Sequence, residues 1–121
     1  MEQAFLEADR ALGTTGKNPN VGCVLVKNNI IIGRSRTCPN GRPHAEENLI
    51  NQLSKSDLKN SILFVSLEPC AHKGPNGYSC ADLIAKSGIK EIFISNIDPN
   101  KNTFGKGIKI LKKAGIRINK N

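Results

Sequence analysis

His44, Cys70 and Cys80 are residues of the types that bind zinc, and Glu46 is a carboxylate two positions after the histidine in Pro43-His44-Ala45-Glu46. One imidazole nitrogen and two thiolates leave the fourth tetrahedral position of a zinc ion open, which separates a catalytic site from a closed structural one. Water in that position has its pKa lowered towards about 7, so hydroxide becomes available near neutral pH. A neighbouring group must still carry protons to and from the reacting molecule. Glu46 suits that work, because at the start of a helix and two residues from His44 its carboxylate can enter the same pocket without binding the metal. The thiolates come from Leu67-Glu68-Pro69-Cys70 and from Cys80, with nine residues between the two cysteines.

The alternative is a closed zinc knuckle with Cys38 as a fourth ligand beside His44, Cys70 and Cys80. It would leave Glu46 without a role and would not require Pro-His-Ala-Glu in one place and Glu-Pro-Cys in another. The order H-x-E, then P-C, then a further Cys is the zinc-deaminase pattern, in which the activated water attacks an amino-bearing ring carbon and the glutamate moves the protons.

With these residues in view, the chain resembles the deaminase domain of the bifunctional riboflavin-biosynthesis deaminase/reductase family, within the wider cytidine deaminase superfamily. The likeness runs nearly end to end. Gly13, Thr15 and Asn18-Pro19-Asn20-Val21-Gly22-Cys23 follow the family's opening Pro-Asn-Pro-x-Val-Gly-Cys, with Lys17 in place of the first proline. Gly41-Arg42-Pro43-His44-Ala45-Glu46 and Ser66-Leu67-Glu68-Pro69-Cys70-Ala71-His72 match the two zinc segments, and Asp98-Pro99-Asn100 and Gly105-Lys106-Gly107-Ile108 match the closing segment.

The resemblance implies a three-layer α/β fold of the cytidine deaminase type and hydrolytic removal of an exocyclic amino group. The implied substrate is a diaminopyrimidine carrying a phosphorylated ribosylamino side chain. It further implies zinc on His44, Cys70 and Cys80, Glu46 as proton shuttle, a pocket lined by Asn18, His72, Asp98 and Asn100, and a homo-oligomer, dimer or tetramer. Three positions depart from the family pattern. The loop between the cysteines is one residue longer than usual and reads Asn76-Gly77-Tyr78-Ser79-Cys80; Pro75 stands where a basic residue commonly meets the phosphate; and Thr37 replaces a common histidine. Lys73 is close enough in sequence to substitute for the missing cation.

A chain of 121 residues is expected to form a single zinc-dependent deaminase domain over 1–121, without the reductase half found in this family. The reductase is then a separate chain, or this one has been trimmed. No segment approaches the roughly 18 apolar residues that would span a bilayer, and the N-terminus carries no basic region followed by an apolar run, so the expectation is a cytoplasmic protein with no membrane partner. Thiolate ligands favour a reducing compartment, and Cys23, within Val21-Gly22-Cys23-Val24-Leu25-Val26, reads as a buried inert thiol. A net charge of +8 raises nucleic-acid binding, but aromatics at 4% leave few stacking platforms. The charge reads instead as a compositional bias that would also favour an anionic substrate.

Stepping outward from the site, Ala4, Phe5, Ala8, Ala11 and Leu12 recur at the spacing of one helical face over 1–12. Val21 to Val26 and Ile30 to Gly33 read as an antiparallel hairpin about Lys27-Asn28-Asn29. His44 is expected to open a helix to about Leu53, started by the fixed φ of Pro43. Ile62 to Leu67 reads as a strand that delivers Cys70, Cys80 begins a helix closed by Gly88, and Glu91 to Ile97, Gly107 to Ala114 and Ile116 to Ile118 read as strand, helix and strand. This alternation predicts a mixed five-stranded sheet covered by helices, with the site at the carboxyl ends of its strands.

Glu68 reads as a carboxylate anchoring the strand end, and Asn18 as either a brace for its loop or a contact for pyrimidine edges and ribose hydroxyls. Two other functions fit the same residues. One is deamination of another nucleotide or of a base in RNA, and the other is a zinc-stabilised binding domain without turnover.

Overall fold

The computed structural model describes residues 1–100 and 104–120. One mixed sheet organises the chain, in the order β2-β1-β3-β4-β5. Its strands are β1 (Gly22–Lys27), β2 (Ile30–Arg36), β3 (Ile62–Leu67), β4 (Glu91–Asn96) and β5 (Arg117–Lys120). β1 runs antiparallel to β2 and β3, whereas β3, β4 and β5 are parallel to one another. The hairpin turn places Asn28 and Asn29 at φ 53 and 64, a backbone region that asparagine tolerates better than most residues. β2 extends three residues beyond the apolar run that marks it in sequence. Arg34-Ser35-Arg36 are polar, yet their backbone continues the ladder opposite Gly22, Cys23 and Val24.

Among the described residues, five helices cover the sheet: α1 (Glu2–Arg10), α2 (Ala45–Gln52), α3 (Lys55–Leu58), α4 (Cys80–Ser87) and α5 (Lys106–Lys113). Strand alternation explains the layering, because successive side chains point to opposite faces. Leu25, Leu63 and Ile92 stand opposite one another across three strands, as do Cys23, Val65 and Ile94, and both rows meet Leu49 of α2, Ile84 of α4 and Ile108 and Leu111 of α5 in one buried cluster. Cys23 is a buried thiol within this core, and its pKa is pushed well up, chiefly by burial. Phe64 and Phe93 point to the other face and stack at 4.7 Å. On that face α1 buries Ala4 and Ala8 and is fastened by buried Glu7, whose carboxylate accepts from Arg10 at 2.6 Å and from Arg36 of β2 at 3.2 Å.

The expected start of α2 needs correction. His44 is the N-cap, with extended φ −64 and ψ 161, and the helix proper begins at Ala45. Pro43 therefore lies outside the first turn, joined to Arg42 by a cis peptide bond. Two short elements escape periodicity because neither is long enough to show any: a 3-10 turn at Pro39–Gly41, and α3, closed at its start by a reciprocal Ser54–Asp57 capping box. Among the described residues, no helix is long and apolar enough to cross a membrane.

Candidate metal centre and catalytic cavity

Topology brings the chemistry-bearing residues to one edge of the sheet. β3 ends at Leu67, and Glu68-Pro69 turns the chain so that Cys70 sits over the N-termini of α2 and α4, with the Cys70 carbonyl accepting from Ala81 N–H at 3.1 Å. Cys80 is the first residue of α4. It is set by a capping box in which Ser79 Oγ accepts from Asp82 N–H and Asp82 Oδ2 accepts from Ser79 N–H, both at 3.0 Å. The Ser79-x-x-Asp82 spacing is a sequence signature of a helix start and fixes where this ligand emerges.

His44 Nδ1 lies 3.6 Å from Cys70 Sγ and 3.5 Å from Cys80 Sγ. With Zn–S near 2.3 Å and Zn–N near 2.0–2.1 Å, a tetrahedral angle separates sulfur and nitrogen by about 3.6 Å, so the three donors fit a shared zinc ion. The ligand atoms all lie within 4.8 Å of one another, and among the described residues Cys38 is not part of the group. Cys38 borders a different hollow with Arg34, Arg36 and Asn48, so the closed four-ligand knuckle finds no support.

The three donors share protons strongly. The Cys70 thiol is brought down to about 4, first by the hydrogen bond from the Cys80 thiol and, against the opposing effect of burial, by His44. Cys80 is pushed up because its proton serves that bond, with burial acting in the same direction. His44 is raised, chiefly by its hydrogen bond with Cys70. The thiolate nearest the cavity is thus ready for a cation.

Of these, His44 and Cys70 open onto a cavity of about 170 Å³ lined also by Asn18, Thr37, Arg42, Glu46, Glu68, His72 and Asp98 with Pro19, Val21 and Leu67. Glu46, on the first turn of α2, is only 4% exposed. Burial is the main reason its carboxyl is raised from 4.5 to about 7, and the negative charge of Cys70 adds to the shift. A carboxyl poised near neutral pH can both take and return a proton.

Of the expected substrate contacts, Asn18, His72 and Asp98 stand on the cavity wall, while Lys73 and Asn100 are outside its lining. Asn18 also braces its loop, since Nδ2 donates to the Gly41 carbonyl at 3.0 Å. Asn100 follows Asp98 in the same turn and donates its N–H to Asp98 Oδ1 at 3.0 Å.

Two wall residues have roles that sequence spacing does not reveal. Thr37, 2% exposed, accepts from Val21 N–H at 3.0 Å and donates to the Pro19 carbonyl at 3.2 Å, holding the Asn18 segment against the end of β2. Arg42 reaches the cavity from the turn before α2.

Glu68 anchors the wall. Its carboxylate accepts from the backbone N–H groups of Asp98 at 3.3 Å, Gly105 at 3.1 Å and Ile108 at 3.3 Å. Gly107 is required beneath it, because a Cβ there would fall 1.9 Å from the Pro69 carbonyl oxygen, next to Cys70. Glu68→Gln replaces a three-way anionic acceptor with one neutral oxygen and an amide donor. The expected cost is about 1–3 kcal/mol in denaturant unfolding, with a higher KM because Asp98 loses its tether. An unchanged midpoint together with an unchanged KM would remove Glu68 from this role.

Residues 1–96 match the family of the cytidine and deoxycytidylate deaminase zinc-binding region. The diaminohydroxyphosphoribosylamino-pyrimidine deaminase of Buchnera aphidicola from Schizaphis graminum is 44% identical over 105 residues, covering 87% of this chain and 70% of that protein. The riboflavin biosynthesis protein RibD of Bacillus amyloliquefaciens is 45% identical over 118 residues, covering 98% of this chain and 31% of its own length. Among solved structures, Acinetobacter baumannii RibD superposes with a TM-score of 0.91 at 39% identity, covering 98% of this chain and 33% of that one. The chain thus spans about a third of the length of the RibD relatives it matches.

Proposed function

This chain belongs to the cytidine and deoxycytidylate deaminase family, in its diaminohydroxyphosphoribosylaminopyrimidine deaminase branch, and on that premise we propose that it hydrolyses the exocyclic amino group of a phosphoribosylamino diaminopyrimidine in riboflavin biosynthesis. The observation that carries this reading is the cluster of His44 Nδ1, Cys70 Sγ and Cys80 Sγ, of which His44 and Cys70 line the same cavity as buried Glu46. Zinc bound by these three ligands would supply a water acidified towards about pH 7 as the nucleophile.

The chain's own residues do the remaining work. Glu46 takes a proton from the water through its carboxylate and delivers it to the pyrimidine ring nitrogen. Oxygen bonds to the amino-bearing carbon, the carbon–nitrogen bond breaks, and ammonia departs with the second water proton, also carried by Glu46. A ring carbonyl replaces the amine. Burial of Glu46 keeps bulk water from competing for these protons. Asp98 accepts from a substrate amino group, Asn18 and His72 complete the wall, and Asn100 supports Asp98.

Substrate choice is tested by comparing ammonia release from the phosphorylated diaminopyrimidine with release from deoxycytidylate, using the zinc-loaded protein. A kcat/KM on the diaminopyrimidine at least about 100-fold higher is expected, the discrimination that a site built to hydrogen-bond one substrate can reach or exceed. Preference for deoxycytidylate would move the chain to another substrate within the family.

A further inference from the structure

Arg42 lines the cavity beside His44 and His72, and among the described residues it forms no ion pair. Its side chain is exposed, and it also borders an adjoining groove with Pro75 and Asn76. The guanidinium therefore stands at the cavity mouth. Gly74 makes room for it: a Cβ on Gly74 would lie 2.8 Å from Arg42 Nη1. The backbone it rests on is held in place. Gly74 N–H donates to the Tyr78 carbonyl and Gly77 N–H to the Gly74 carbonyl, each at 2.9 Å. Asn76 Nδ2 ties the same loop to α2 through Glu47 Oε1 at 3.0 Å.

Lys73, the cation expected from sequence to meet an anionic substrate, faces elsewhere. It does not border the cavity, and it is near Asp82, whose carboxyl is held low first by the Ser79 N–H and, to a smaller degree, by the Lys73 charge. The cavity wall carries three carboxyl groups, Glu46, Glu68 and Asp98. A phosphate is repelled from that depth and attracted to a cation at the rim. Among the described residues, Arg42 is the one lysine or arginine in the lining. Its planar fork can donate two parallel N–H bonds to phosphate oxygens, a geometry an ammonium lacks.

Resting on the substrate reading above, we propose that Arg42 binds the substrate phosphate at the cavity mouth and selects phosphorylated over unphosphorylated pyrimidines. The cation reaches the loop from the turn before α2, at the place where Pro75 offers none.

The test measures kcat/KM on the phosphorylated diaminopyrimidine and on its dephosphorylated counterpart, for the zinc-loaded wild type, Arg42→Gln and Lys73→Gln. In Arg42→Gln the ratio of the two values is expected to fall about 10- to 100-fold, the worth of a charge-assisted hydrogen bond. A wild-type ratio in Arg42→Gln, or a larger fall in Lys73→Gln, would overturn the proposal. Calorimetric binding of ribose 5-phosphate against ribose separates this claim from the substrate reading. Absent turnover of either pyrimidine defeats the substrate reading, whereas ribose 5-phosphate binding by wild type that is lost in Arg42→Gln upholds the anion site. Equal binding by the two proteins, or none by wild type, overturns it.

Discussion

Glu46→Gln is expected to cut ammonia release sharply while leaving zinc in place. The amide is close in shape to the carboxyl and cannot accept the water proton, so kcat is expected to fall by about 10²–10⁴-fold, the usual worth of a positioned proton carrier. The residues that would hold the metal, His44, Cys70 and Cys80, are unchanged, so zinc content by elemental analysis should match the wild type. The same substitution has a second consequence, in stability. In the metal-free folded protein the Glu46 carboxyl holds its proton up to about pH 7, whereas the unfolded chain releases it near 4.5. Between those values the folded state binds more protons than the unfolded one, so stability falls as pH rises, and the deficit is complete above about 7. It amounts to about 3–4 kcal/mol, taking 1.4 kcal/mol per pH unit of difference. Glu46→Gln removes an ionisation that burial disfavours. The zinc-free variant should therefore be more stable than wild type at pH 8 and nearly equal to it at pH 4, as urea midpoints would report. Equal midpoints at pH 8 would mean that the carboxyl is not held out of water as described. A catalytic group that costs stability is what a buried proton carrier entails.

Cys70→Ser is expected to remove metal, activity and the stability that depends on metal. Serine keeps the size of the side chain but not the thiolate, and Cys70 is the donor that both Cys80 and His44 hydrogen-bond in the metal-free state. In the wild type, free zinc at about 1,000 times its dissociation constant adds about 4 kcal/mol to folding, because the unfolded chain offers no assembled site. Melting with and without a chelator reads this difference directly. Wild type should lose many degrees on chelation, whereas Cys70→Ser should melt at the lower temperature in both conditions. A chelator effect of wild-type size in Cys70→Ser would mean that the metal is held elsewhere.

The two zinc segments and their carboxylate were legible in sequence because each is a short motif with its chemistry inside it, and because the strand before Cys70 and the helix after Cys80 show clear periodicity. Glu68 was legible as an anchor, and its bonds to the N–H groups of Asp98, Gly105 and Ile108 give that reading its content. Long-range reach was not legible. Nothing in the spacing of Arg42 and Gly74 says that a guanidinium from one segment lies on the backbone of the other, and nothing near Lys73 says that it turns towards Asp82. Thr37 stands out in sequence only as a departure from the family's histidine, whereas in the fold it joins Val21 to Pro19 through its hydroxyl. The start of α2 shifted by one residue because His44 caps the helix in extended conformation, a choice of ψ that composition does not encode.

The most direct measurement is ammonia release from the phosphorylated diaminopyrimidine by the zinc-loaded protein, with Glu46→Gln assayed alongside at equal zinc content. Stoichiometric release by the wild type and none by the variant is the result expected if the cluster of His44, Cys70 and Cys80 and the buried Glu46 together form a deaminase site. Undiminished release by Glu46→Gln, or no release by zinc-loaded wild type, would contradict it.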